Sequence, residues 1–335
     1  MASSALLAVD YIDGNGQLRR AAEDAADAVD REALWAFRGG GGVGVATTLT
    51  VELVAPQELW AGYRLWSIDA LGPAVDAWAS AMGQIGDALS TSLSVLHPPP
   101  GAPAFPRALH GVPVVHLAFA SPRGPDAGGP LLRAPEAAPA PVVDSRWAPA
   151  DAARLAQIHL DPPNPVPALG IGRWLGPGAP AVAAEALNTA AAVDSPVAVV
   201  ELRNLGNDAP ARDGATTAVP GPFLLHAVGL ATDVASRSRT EDGLAQVRAA
   251  AAPADLGRSA ASFADGRATV ADGLDRSGLQ RLARISTAVD PDRRLAPSRL
   301  LSAPNHVSPG QSLQFNRYDD AHLAPGELLQ RRSKL

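Results

Sequence analysis

The sequence predicts an α+β fold, an antiparallel β-sheet covered on one face by helices. Three observations carry this. Apolar, β-branched runs tend to come in pairs, with helical patches between the pairs. The run PVAVVELRNLG at 196–206 alternates with period two, so Ala198, Val200 and Leu202 share one face and Glu201 and Arg203 the other. The 335 residues are 47% hydrophobic, enough for one large domain or two smaller ones.

Each element follows from local signals. ALLAVDYIDGNGQLRRA reads as a hairpin: an apolar run from Leu6 to Ile12, a Gly14-Asn15-Gly16 turn, then a return strand. Asp30 is placed to cap a short helix, REALWAF, whose Leu34 and Phe37 lie at helical spacing. After the glycines of RGGGGVGVATTL come strands in VGVATTLTVELV and LWAGYRLWSI, then a helix across DALGPAVDAWASAM. Further strands are expected at Leu89–His97, Val112–Ala120, Pro196–Leu205 and Phe223–Ala231. Helices are expected at Ala148–Ile158, Ala179–Val193, Glu241–Ala252 and Leu274–Val289. HPPPGAPAFP and the span 121–141 are rich in Pro, Gly and Ala and read as loops. Apolar periodicity stops after Pro304, which predicts a loosely held tail.

Composition removes several classes of function. A net charge of −6 with no basic stripe argues against nucleic acid as a partner. The absence of cysteine excludes disulfides, thiolate metal sites and thiol nucleophiles. No apolar run is long enough to span a bilayer, and the N-terminus lacks a basic signal-peptide start, so a cytoplasmic protein without membrane contact is expected. The sequence closes on Ser333-Lys334-Leu335, which in a eukaryote is a peroxisomal address. Seven histidines show neither H-x-H nor H-E-x-x-H spacing, and there is no G-x-S-x-G elbow, so neither a metal site nor a serine hydrolase is expected. The expected partner is a small-molecule substrate.

Gly39, Gly41 and Gly44 satisfy the dinucleotide fingerprint G-x-G-x-x-G, but the order here is helix, glycines, strand. A dinucleotide loop needs strand, glycines, helix, because the pyrophosphate rests on the helix N-terminus. One glycine is enough to end a helix. Four in a row predict that backbone passes close to something flat or bulky.

The segment REALWAFRGGGGVGVATTLTVEL resembles the lfWAlRGGGGnfGVvT stretch of FAD-linked oxidases of the berberine-bridge-enzyme type, within the vanillyl-alcohol-oxidase superfamily. LWAGYRLWSIDALGPAVDAW, AQIHLDPPNPVPALGIG, VAVVELRNLG and RLARISTAVDPDRRL resemble later family segments in the same order. The resemblance implies the end of an α+β FAD-binding domain at 1–56 and a substrate domain at 57–303 that returns to the FAD domain, with 304–335 as tail. It implies FAD as cofactor, with Gly39, Gly40, Gly41, Gly42, Val43, Gly44 and Val45 lying against the flavin. Gly42-Val43-Gly44 stands where the family has Asn-Phe-Gly, one residue shorter. The family's flavin-embracing Tyr-x-Asn-Phe/Tyr aligns with AASF, so Ala260 replaces the aromatic residue and Ser262 the asparagine. Ser262 keeps a hydroxyl for the cofactor.

Met1 begins after the family's pyrophosphate-binding loop and its covalent attachment sites. This chain alone is therefore expected to hold FAD weakly and to self-associate or meet a partner chain. The resemblance implies an oxidase passing hydride from an alcohol or phenol to flavin. Two other readings stay open: a non-catalytic substrate-domain remnant acting as a binding module, and an incomplete reading frame of such an oxidase. Glu201 and His226 are the candidate catalytic residues, and Arg203, His116 and Tyr63 the candidate substrate contacts.

Overall fold

The computed structural model describes residues 2–41, 43–53, 58–85, 89–133, 139–162, 164, 166–205, 212–217, 219–263 and 273–295. The chain divides into Met1–Ser302 and Ala303–Leu335. The second unit, with the expected tail and its Ser333-Lys334-Leu335 ending, lies outside the described residues, as does Gly42.

The chain opens on the expected hairpin, β1 (Leu6–Ile12) and β2 (Leu18–Ala22). Asp13 shapes its turn, with Oδ1 accepting from the backbone N–H groups of Asn15 and Gln17 at 2.8 and 2.9 Å. Helix α1 (Ala28–Phe37) begins earlier than expected. Its cap is Asp27, which accepts from Val29 N at 2.9 Å. Asp30 instead sits in the first turn and accepts from Tyr11 Oη at 2.7 Å and Arg19 Nε at 2.8 Å. Strand β3 (Val45–Val51) pairs antiparallel with β1, giving a small sheet in the order β2-β1-β3.

A nine-stranded sheet follows, from β4 (Trp60–Ser67), β5 (Ser90–Leu96), β6 (Val114–Ser121), β7 (Val143–Asp144), β8 (Ala148–Pro149), β9 (Ala168–Leu175), β10 (Val197–Asn204), β11 (Phe223–Leu230) and β12 (Asp255–Ser259). Its order is β12-β9-β11-β10-β5-β6-β4-β7, with β8 also on β4, and every named pairing is antiparallel. Between the strands run α2 (Leu71–Met82), α3 (Gly129–Arg133), α4 (Ala152–Gln157), α5 (Ala179–Asn188) and α6 (Val234–Ala251), and α7 (Arg276–Val289) comes last.

The structure corrects four further expectations. Ala148–Pro149 is strand, so only α4 of the expected helix exists, capped by Asp151. The span 121–141 contains α3. Helix α6 starts at Val234, where Asp233 and Ser236 form a reciprocal capping box. Strands β9 and β12 were not anticipated. They are joined by buried Arg173, which forks onto Asp255 at 2.9 Å through both Nε and Nη2 and reaches Ser259 at 3.0 Å.

Helices α2, α5 and α6 cover one face of the large sheet. Leu93, Val95, Leu117, Val200, Leu202 and Leu225 meet them in a single buried core, where Trp78 packs edge-on to Phe223 at 5.9 Å. Each such side chain contributes about 1.5–3 kcal/mol through burial. The small sheet has its own core, in which Val9 and Tyr11 of β1, Leu34 and Trp35 of α1 and Leu282 and Ile285 of α7 pack together. Arg281 of α7 stacks 4.4 Å above Trp35 and forks onto Glu32 at 2.8 Å through two nitrogens. Helices α1 and α7 thus close one core.

The connection from β10 to β11 reaches this small core. Ala215 N bonds Trp35 O at 3.0 Å and Thr216 N bonds Arg38 O at 2.8 Å. Buried Arg38 returns the contact, donating to Asp213 O and Leu6 O at 2.9 Å and to Glu23 at 2.8 Å.

Candidate functional site on the face opposite the core helices

Alternation along β10 turns Val200 and Leu202 toward the helices, so Glu201 and Arg203 stand on the opposite face. Cross-strand register then lines up a row of residues on that face. Gly172 of β9 pairs with His226 of β11, His226 with Glu201 of β10, Glu201 with Ser94 of β5, and Ser94 with His116 of β6. At a strand spacing of about 4.8 Å the row spans roughly 19 Å.

Two short segments wall off its ends. At one end a Cβ on Gly172 would come within 2.6 Å of Phe263 Cβ and 2.7 Å of Ala260 O, so only glycine lets the segment Ala260–Phe263 lie on the sheet. At the other, Ile158 O accepts from His116 Nε2 at 2.9 Å and covers that residue.

Between the walls sits a charged cluster. Arg203 Nη2 reaches both oxygens of Glu201, at 2.9 and 3.1 Å. His226 Nδ1 lies 3.8 Å from one carboxylate oxygen, and His159 Nδ1 lies 3.8 Å from the other. Phe263 packs edge-on to the His226 ring at 5.2 Å and lies 5.4 Å beneath the Arg203 guanidinium. Glu201 is buried, whereas the His226 and His159 side chains keep 22% and 34% of their surface and so can meet a ligand.

Burial works to raise the Glu201 pKa. The His226 ring, the Arg203 guanidinium, Ser92 and His159 together overcome it and hold the carboxyl well below the usual carboxylate range. Glu201 is therefore an anion. Burial also lowers the His159 pKa against the pull of Glu201, which keeps that ring neutral. Arg203 Nε and Ser92 Oγ, register partners on neighbouring strands, are buried without a hydrogen bond of good geometry, although Ser92 lies near enough to Glu201 to act on its charge.

The structure thus brings together Glu201, Arg203 and His226 and adds His159 and Phe263, which sequence reasoning missed. It separates off His116. That histidine is sealed, with Ser94 Oγ 3.1 Å from Nδ1 and Ile158 O on Nε2, and burial pushes its pKa down to about 4. Tyr63, half-buried, stacks at a tilt 5.9 Å from the His116 ring. Among the described residues no group of three or more His, Asp or Glu is placed to hold a metal ion, and no helix is long and apolar enough to cross a membrane. A cavity of about 430 Å³ lies elsewhere, lined by Trp35, Thr216, Arg258, Asp275 and Arg284 among others, and its lining shares no residue with the cluster.

The glycine loop divides in two. Gly39 and Gly41 have φ of +95° and +68°, and the N–H groups of Gly40 and Gly41 both return to Ala36 O, at 2.8 and 2.7 Å, ending α1. A Cβ on Gly39 would meet Thr216 at 2.7 Å, one on Gly40 would meet Ala36 O at 2.9 Å, and one on Gly44 would meet Tyr11 at 2.6 Å. Protein groups stand close to all three. Val43 is buried in the small core and Val45 opens β3 in solvent. Gly41 alone of the described four faces open space, and Ser262 is exposed. Bare backbone at Gly41 and the exposed hydroxyl of Ser262 are each of a chemistry that suits a flat ring system.

An antiparallel sheet with helices on one face, joined to a small sheet closed by α1 and α7, is a fold that this chain shares with solved FAD-linked oxidases. BBE-like 1 of Physcomitrella patens superimposes at a TM-score of 0.68 with 13% identity, covering 90% of this chain and 66% of its own. 6-Hydroxy-D-nicotine oxidase from Arthrobacter nicotinovorans gives 0.65 with 18% identity, covering 87% and 65%. Berberine bridge enzyme from Eschscholzia californica gives 0.66 with 13% identity, covering 91% and 67%. At such identities the likeness is one of fold, and the chain spans slightly less than two thirds of the first two. No protein-family model matches the sequence, and no curated protein does.

Proposed function

We propose that this chain provides the substrate-facing part of an FAD-dependent oxidoreductase acting on an alcohol or phenol. The observation that carries the proposal is the Glu201–Arg203–His226 cluster, set on the face opposite α2, α5 and α6 of a sheet whose fold neighbours are FAD-dependent oxidases. When bound, FAD would supply the hydride acceptor, with Gly41 and Ser262 as contacts at its flat end.

The chain's own residues divide the remaining work. A general base serves best when its pKa is near the working pH. Glu201, held far below the usual range, is a poor base. His226 therefore takes the substrate hydroxyl proton, and the Glu201 carboxylate 3.8 Å away stabilises the imidazolium that results. Arg203 keeps Glu201 in place, and its unsatisfied Nε is a donor in reserve for a substrate oxygen. Phe263 forms an apolar wall.

The test is anaerobic mixing with excess FAD and a panel of alcohols and phenols, following loss of oxidised-flavin absorbance. His226→Gln should slow reduction by about 10²-fold or more without changing FAD affinity. Unchanged rates in both His226→Gln and Glu201→Gln would overturn the assignment.

A further inference from the structure

The cluster contains a residue that the proposed reaction does not use. His159 lies in the short connection after α4, and its neighbours fix it on both sides. Ile158 is buried against Ala61 and Ala118, with its carbonyl held by His116. Leu160 packs among Leu65, Leu109 and Val114 with φ +56°, a left-handed conformation uncommon for leucine. Anchors at 158 and 160 leave the intervening side chain little choice of direction, and it meets Glu201.

Arg203 approaches the carboxylate through one nitrogen shared between both oxygens, and an imidazole stands beside each oxygen at 3.8 Å. At that distance a ring lone pair turned toward an anion is repelled, whereas an N–H is attracted. The protonated nitrogen of a neutral histidine is set by what the other side of the ring meets.

We propose that His159 is a positioning residue. With its Nδ1–H turned to Glu201 it holds the carboxylate square between two imidazoles, so that His226 also keeps its proton on Nδ1 and offers Nε2 to substrate. This rests on the reading of His226 as proton acceptor. The charged and titratable groups around His159 are Glu201 and Arg203 of β10, His116 of β6 and Asp161 of its own loop. Burial is the largest influence on His159 and favours its neutral form.

Long-range ¹H–¹⁵N spectra of the whole chain at neutral pH, without flavin or substrate, test this. Both His159 and His226 should carry their proton on Nδ1. His159→Leu removes the donor and should move the His226 nitrogen signals toward the other tautomer. His159→Asn, which places an amide N–H near the Nδ1 position, should restore them, with circular dichroism as the control for folding. If His159 carries its proton on Nε2 in the parent protein, or if His226 signals are the same in His159→Leu, the proposal is wrong. The first criterion stands even where His159→Leu does not fold. Loss of His226-dependent flavin reduction would sink the proposed function and leave these spectra unchanged, so the two failures are separable.

Discussion

The two faces of the large sheet share the same strands and differ in what covers them. On one, three helices bury a continuous apolar layer. On the other, among the described residues, Ala260–Phe263 and Ile158 lie over the ends of a row in which buried Glu201 stands beside two partly exposed histidines. Successive residues of one strand therefore have different duties. Leu202 is wholly buried against the helices, whereas its neighbours Glu201 and Arg203 bond to each other on the opposite side. The apolar core lies on the covered face and the charged cluster on the other.

The comparison would break first at Trp78. Trp78→Ala on the covered face should cost about 3–5 kcal/mol in urea unfolding, because neighbours close only partly around the cavity. A loss below about 1 kcal/mol would mean that this face is not the one that holds the fold.

The second test concerns His116, a residue of the other face that is nonetheless sealed. Its folded pKa of about 4 lies below the ordinary value of 6.5, so the unfolded chain binds a proton first as the pH falls. Its contribution is fully present above about pH 6.5 and declines toward pH 4, by about 3 kcal/mol in all. Urea unfolding at stepped pH should show that slope, and His116→Gln should flatten it. Glu201 acts in a lower window, since its depressed carboxyl keeps its contribution until more acidic pH.

Glu201→Gln should weaken the fold by about 1.5–3 kcal/mol, the scale of a hydrogen bond to a charged group. In the flavin-reduction assay its effect should be far larger than that. A stability loss equal to that of Trp78→Ala would remove the distinction between the faces.

The smallest effect should come from the glycine loop, where the same contrast recurs. Gly41→Ala meets open space and should cost about 1–2 kcal/mol for its left-handed backbone alone. Gly39→Ala adds a 2.7 Å encounter with Thr216 and should cost more. Equal thermal shifts for the two would show that Thr216 yields without cost.

Much of the covered face was legible in the sequence, because period-two alternation at 196–205 separates Val200 and Leu202 from Glu201 and Arg203 whatever else the chain does. Strand β9 was not. ALGIGRWL carries two glycines and an arginine, and what makes Arg173 tolerable there is Asp255, far along the chain. The start of α6 escaped because VASRSRTED is polar, and its signal was the Asp233–Ser236 cap. His159 could not be found by periodicity, since its loop has none and its partner Glu201 is distant in sequence. Four glycines predict a close neighbour, and the sequence does not show that Thr216 and Tyr11 crowd Gly39 and Gly44, because only the folded chain brings them near.

The closing of the small core by α1 and α7 has a consequence for synthesis. Leu282 and Ile285, which cover Trp35 and Leu34, leave the ribosome about 250 residues after them. At about 5–20 residues per second the wait is roughly 12 to 50 seconds. During that interval Tyr11, Leu34 and Trp35 lack part of their cover. The large sheet has no such dependence on α7, since its helix-covered core is complete by Ala254. A nascent chain should therefore acquire protease resistance in its middle before its beginning.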